Sequence, residues 1–113
     1  MPHFNSPFSG VAHGKKLTHE ELIRAIRFLV ASEYEATQMY MQLAESTDHT
    51  LSIQVLKDIA NEEIVHAGEL LRLLYELAPE EAKLYAQGAK EVEEKIALNR
   101  SAKASTVEQR HGT

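Results

Sequence analysis

Apolar residues between Leu17 and Leu77 recur with a helical period. Leu22, Ile26, Leu29, Glu33, Ala36, Tyr40 and Leu43 follow one another at alternating steps of four and three. Leu56, Ile59, Glu63, His66, Leu70, Leu73 and Leu77 alternate three and four. Both are heptad stripes, the seam by which helices pack. Thr18 with Glu21 forms a capping box at the start of the first stripe, and Leu17 with Leu22 can staple it. The polar break Ser46-Thr47-Asp48-His49-Thr50 separates the two helices, and Ala78-Pro79 ends the second and starts a third. Tyr85, Ala89, Val92 and Ile96 share a face of that third helix, which Gly88 interrupts and which is expected to end near Leu98. The pattern predicts an all-α fold: an antiparallel two-helix hairpin plus a shorter C-terminal helix. Residues 1–16 (Pro2, Pro7, Gly10, Gly14) read as a flexible arm, 17–98 as the helical domain, and 99–113 as a flexible tail.

A length of 113 residues allows one small domain. Cysteine is absent, which removes disulfides, thiolate metal sites and a cysteine nucleophile. No apolar run approaches the ~20 residues of a membrane span, and Met-Pro-His-Phe-Asn-Ser lacks the flank of a secretory signal. A soluble intracellular protein is the expectation. Residues 17–98 carry 16 acids against 7 bases, a net −9, whereas each end carries a net +2. Such a body repels nucleic acid phosphates and favours cations.

The stripes are apolar except near their centres, where Glu33 and Tyr40 stand on one helix and Glu63 and His66 on the other. With the turn centred at Asp48, Glu33 lies fifteen residues before it and Glu63 fifteen after. At ~1.5 Å per residue both stand ~22 Å from the turn, at one height, with His66 one turn beyond Glu63. Buried carboxylates beside leucines are costly unless paired, and no lysine or arginine occupies either stripe. Protonation, solvent or a metal ion remain. Carboxylate oxygens with an imidazole nitrogen suit a divalent transition metal such as iron, manganese or zinc.

One hairpin supplies half of a di-metal carboxylate site, which in a helical bundle takes two Glu and two Glu-x-x-His motifs. A twofold dimer would complete it: four carboxylates against two divalent ions balance to zero. The short chain also has a marginal core alone and should pair with a copy of itself. A second match, Glu108-Gln109-Arg110-His111, lies in the polar tail with no stripe to fix it and reads as coincidence. Histidines 3, 13, 19, 49 and 111 lie in arms, caps or turns and read as ordinary.

The segment Ser32-Glu33-Tyr34-Glu35-Ala36-Thr37-Gln38-Met39-Tyr40, followed by Asn61-Glu62-Glu63-Ile64-Val65-His66, resembles the ferritin-like superfamily. More narrowly it resembles the encapsulated ferritins, short proteins with one helical hairpin in place of a four-helix bundle. The likeness covers about residues 17–98. It implies a ferritin-like four-helix bundle completed by dimerisation, with Glu33, Glu63 and His66 from two subunits as ligands of a di-iron centre and Tyr40 beside the iron. It further implies a ring-shaped homodecamer, ferroxidase chemistry in which Fe2+ is oxidised by dioxygen, and iron storage inside an encapsulin shell in a prokaryotic cytoplasm. Glu35 is then the candidate waypoint for incoming iron. Ser32 stands where many relatives carry a further acid, Met39 where they often have tryptophan, and 99–113 lacks a Gly-Ser-Leu type cargo peptide.

Two other readings compete. A rubrerythrin-like di-iron peroxidase would need an external reductant, because no CxxC centre is present. A metal-free helical oligomer acting as an adaptor would keep its stripe carboxylates protonated or solvated.

Overall fold

The computed structural model describes residues 14–111. Of the expected arm 1–16, all but 14–16 lies outside the described residues, as do His3 and His13. Three helices follow in order: α1 His19–Glu45, α2 Thr50–Leu77 and α3 Pro79–His111. No strand occurs among the described residues, and none of these helices is long and apolar enough to cross a membrane. The expected all-helical class stands.

Local chemistry sets the helix ends. Thr18 caps α1: its Oγ1 accepts from the Glu21 amide at 3.1 Å, and the Thr18 amide donates to Glu21 Oε1 at 2.9 Å. The Thr18 amide, first, and the Thr18 hydroxyl beside it stabilise the carboxylate and hold the Glu21 carboxyl below its ordinary value. The connection 46–49 is tied at both sides. Ser46 donates from its amide to Leu43 O and from its hydroxyl to Gln42 O. His49, rather than a smaller neighbour, is the N-cap of α2, its Nδ1 accepting from the Ser52 amide at 3.2 Å. Ala78 closes α2 by donating to Leu74 O, and Pro79 opens α3, where its missing N–H costs nothing.

The hairpin packs through a seam that differs from either predicted stripe. Its positions, each buried or half-buried, are Ile23, Ile26, Val30, Glu33, Thr37, Tyr40 and Ala44 on α1, with Ala36 half-buried at its edge. On α2 they are Ile53, Leu56, Ala60, Glu63, Ala67, Leu70, Leu74 and Leu77. Each set again steps by three and four. It shares Ile26, Glu33 and Tyr40 with the predicted α1 stripe, and Leu56, Glu63, Leu70 and Leu77 with that of α2. The other predicted members flank the seam. Leu22, Leu29, Leu43 and Leu73 remain 36, 45, 56 and 43% exposed. The predicted stripes therefore mark a second, adjoining face of the hairpin, which stays open.

At the end remote from the turn, Ile23, Ile26 and Leu74 form a buried cluster backed by Leu70, Leu71 and Leu77. His19 latches that end: its Nε2–H donates to Leu77 O at 2.8 Å across 58 residues of sequence. The bond satisfies one of the carbonyls that a helix C-terminus leaves free.

The chain divides at Ala78/Pro79 into two compact units. Helix α3 corrects two expectations. At 33 residues it is the longest element, not the shortest, and it runs through Asn99 to His111 where a flexible tail was expected. Gly88 lowers helix stability by only ~1 kcal/mol relative to alanine. No proline or further glycine follows before Gly112, and the residues between include alanine, lysine, arginine, glutamate and glutamine, all competent helix formers. Lack of an apolar period removes a packing face without removing the helix.

Candidate metal centre

Glu33 occupies a seam position midway along α1, and Glu63 the matching position of α2. The observed turn 46–49 has its midpoint half a residue from Asp48, so the two carboxylates share a level as the spacing requires. His66, one turn beyond Glu63, sits on the flank beside the seam. One donor atom from each of the three lies within 4.8 Å of the others, the one such group among the described residues. His66 Nδ1 stands 3.6 Å from Glu33 Oε2 and 3.6 Å from Glu63 Oε2.

Those contacts are too long for hydrogen bonds. Glu33 Oε2 is buried and accepts none. An acceptor buried without a partner costs ~1–3 kcal/mol, more when charged, so the seam holds a group that a cation would satisfy. The geometry fits one. With ligand bonds of ~2.1 Å, two atoms 3.6 Å apart subtend about 120° at a shared ion. The set of two oxygens and one nitrogen is of the kind that first-row divalent metals accept, and it leaves further positions open.

The cluster is unevenly covered. The side chains of Glu33 and Glu63 are 22% and 18% exposed, that of His66 is 49% exposed. It opens toward the flank that carries Leu22, Leu29, Ala36 and Leu43 on α1 and Ile59 and Leu73 on α2, so a half-covered polar cluster sits in an apolar surround.

Tyr40 and Glu35 do not join the three. Tyr40 is half-buried on the same stripe, seven residues or about 10 Å along α1 from Glu33. Glu35 is half-buried and lies about 200° around the helix from Glu33, away from the open flank. One neighbour escapes the sequence reading. Thr37, half-buried one turn past Glu33, donates from Oγ1 to Glu33 O at 2.9 Å; its i+4 spacing is the signal that could have found it.

A family profile described as rubrerythrin matches residues 22–109. The chain belongs to the rubrerythrin family. Within this ferritin-like group it stands with the encapsulated ferritins. It is 34% identical, over 87% of its length and 71% of the other's, to the encapsulin nanocompartment cargo protein EncC of Myxococcus xanthus. It is 35% identical over 71% of its length to the ferritin-like-encapsulin shell fusion protein of Pyrococcus furiosus, of which it spans only 23%. The crystal structure of the encapsulated ferritin domain from Pyrococcus furiosus superposes with a TM-score of 0.72 at 31% identity. That match covers 83% of this rubrerythrin-family chain and 94% of the other.

Proposed function

We propose that the chain is a ferroxidase: two copies pair over the open flank, and Glu33, Glu63 and His66 from each hold iron between them. The observation that carries this reading is the buried, unpartnered Glu33 Oε2 facing His66 and Glu63 across a gap of ion size. Iron bound there supplies one-electron chemistry toward dioxygen, with Fe2+ as the substrate oxidised and Fe3+ as the product.

The chain's own residues bind, orient and exclude. Glu33 and Glu63, ionised, replace water around the cation and offset its charge. Glu63 would ligate iron beside Glu33 and His66, whose Nδ1 stands 3.6 Å from each of the two carboxylates. His66 gives a neutral nitrogen at the open side and so adds no charge to the balance. The leucines around it would exclude bulk water once a second copy covers them, which strengthens each electrostatic contact. Tyr40, on the seam about 10 Å along α1 from Glu33, would donate a hydrogen bond or an electron toward the iron. The acidic surface of the hairpin would raise the local Fe2+ concentration.

The relatives' encapsulin names support a further step: this chain works as cargo of an encapsulin shell in a prokaryotic cytoplasm. Its own assembly there would be a ring of dimers. Anomalous scattering from crystals grown with Fe2+ tests the core of the proposal. Iron bridging Glu33, Glu63 and His66 of two copies is the expected result; iron elsewhere, or a Glu33→Ala chain that still oxidises Fe2+ at the parent rate, would sink it. Dioxygen should outpace hydrogen peroxide as oxidant, and the reverse order would indicate a peroxidase.

A further inference from the structure

The layers on either side of the carboxylates are built from small side chains. We propose that Ala60 and Ala67 are positioning residues: they hold α1 and α2 close enough for Glu33 to meet Glu63 and His66 at one ion. The inference rests on the metal-centre reading above.

Ala60 lies three residues before Glu63 and Ala67 four after it, both on the seam and both only 2% exposed. On α1, Val30 and Thr37 bracket Glu33 with the same spacing, so Val30 shares a level with Ala67 and Thr37 with Ala60. The Thr37 hydroxyl is occupied by Glu33 O, which leaves the Thr37/Ala60 layer with no polar demand across the seam. The layer at the far end instead sets Ile23 beside Leu74, two large side chains. Separation between packed helices follows the size of the side chains at their contact, so the alanines allow a closer approach beside the ligands than Ile23 with Leu74 allows at the far end.

The tolerance is small. The contact from α1 to α2, His66 Nδ1 to Glu33 Oε2, is 3.6 Å. Two atoms bonded to one ion at ~2.1 Å can stand no more than about 4.2 Å apart. Spreading the helices by about 1 Å exceeds that limit, and the site then loses a ligand.

The test exchanges volume across the seam. Ala67→Val and Ala60→Val enlarge one side of a layer; Val30→Ala with Ala67→Val returns its volume; Ala44→Val enlarges an equally buried position 11 residues past Glu33. Two quantities are read on the full chain: Co2+ affinity, from the visible absorption of the bound ion, and helix spacing. Spacing comes from spin labels at Gln38→Cys and Asp58→Cys, clean here because the chain has no cysteine, with labelled chains diluted in unlabelled ones. Each single enlargement beside the site should widen the spacing by about 1 Å and weaken Co2+ binding about tenfold or more. Ala44→Val should leave affinity within about twofold, and the paired exchange should restore spacing and most of the affinity. Enlargements that change neither quantity, or a paired exchange that regains neither, would overturn the inference. A parent chain that takes up no Co2+ while its spacing still responds would instead refute the metal reading and leave the packing role standing.

Discussion

Helices α2 and α3 have similar lengths, 28 and 33 residues, yet α2 buries Ala60, Ala67 and Leu74 while no residue of α3 among those described is buried. The stripe of α2 never lapses: from Ile53 to Leu77 every third or fourth residue is apolar except Glu63. The stripe of α3 runs through Ala82, Tyr85, Ala89, Val92 and Ile96, then continues as Asn99, Lys103 and Thr106. What holds α3 within its own unit is local: Pro79 at its first position, Glu80 and Glu81 in its first turn, the Lys83–Glu80 pair at 3.0 Å, and the Tyr85 hydroxyl donating to Glu81. Exposed pairs of this kind contribute only tenths of a kcal/mol. Helices owe most of their stability to a packed face, and the cluster of Glu33, Glu63 and His66 sits on the packed hairpin rather than on α3. A rigid seam can hold three donors to fractions of an ångström; a helix kept by local bonds cannot.

The contrast is broken most directly at the carboxylates. Glu33→Ala, Glu63→Ala and His66→Ala should each lower Fe2+ oxidation at least about a hundredfold, whereas Glu91→Ala and Glu94→Ala on α3 should leave the rate unchanged. The metal-free Glu33→Ala hairpin should also be more stable than the parent, by ~1–3 kcal/mol in urea unfolding, because an unpaired buried acceptor is gone. Loss of activity together with loss of fold would contradict that pairing.

Core deletion comes next. Leu74→Ala should cost ~2–5 kcal/mol. Leu98→Ala, at a position 70% exposed on α3, should stay within ~0.5 kcal/mol in the unassembled chain. Equal losses would mean that α3 is packed as firmly as α2.

Capping gives a smaller effect. Thr18→Ala should cost ~1 kcal/mol by removing the box that starts α1. It should also flatten part of the acid response. The Glu21 carboxyl is lowered in the folded chain by its bonds to Thr18, so its contribution is complete above its unfolded-state value and disappears as pH falls through the folded one. The gap between the urea midpoints of parent and variant should narrow in acid; parallel curves would show that the Thr18 hydroxyl does not stabilise the carboxylate.

The smallest change sharpens the picture of α3. A Cβ at Gly88 would meet nothing within 4 Å, so Gly88→Ala should stabilise the helix by ~0.5–1 kcal/mol. Slower amide exchange around residue 88, with none around Glu63, would report it.

The level of Glu33 against Glu63, and His66 one turn on, are legible in the order of residues alone, because hairpin height is a count of residues at a fixed rise. So are the helix ends at Thr18 and Ala78-Pro79, where capping and proline act within a few residues. The His19–Leu77 latch is not, since a side chain meeting a carbonyl 58 residues away leaves no local mark. Nor is the full length of α3, because the apolar period that marks a helix in sequence reports a packing face, and α3 continues beyond Leu98 without one.

By itself, the sequence determined three helices, one turn, and two carboxylates at a common height with an imidazole one turn beyond. Only the tertiary structure decided which of two adjoining stripes closes the hairpin. Leu22, Leu29, Leu43 and Leu73 carry the stronger hydrophobic signal, yet they stay outside, while Val30, Thr37, Ala60 and Ala67 go in. A helix apolar over more than ~100° of its circumference offers two edges. Transfer energy cannot choose between them, but close approach of two backbones can, and that favours small side chains.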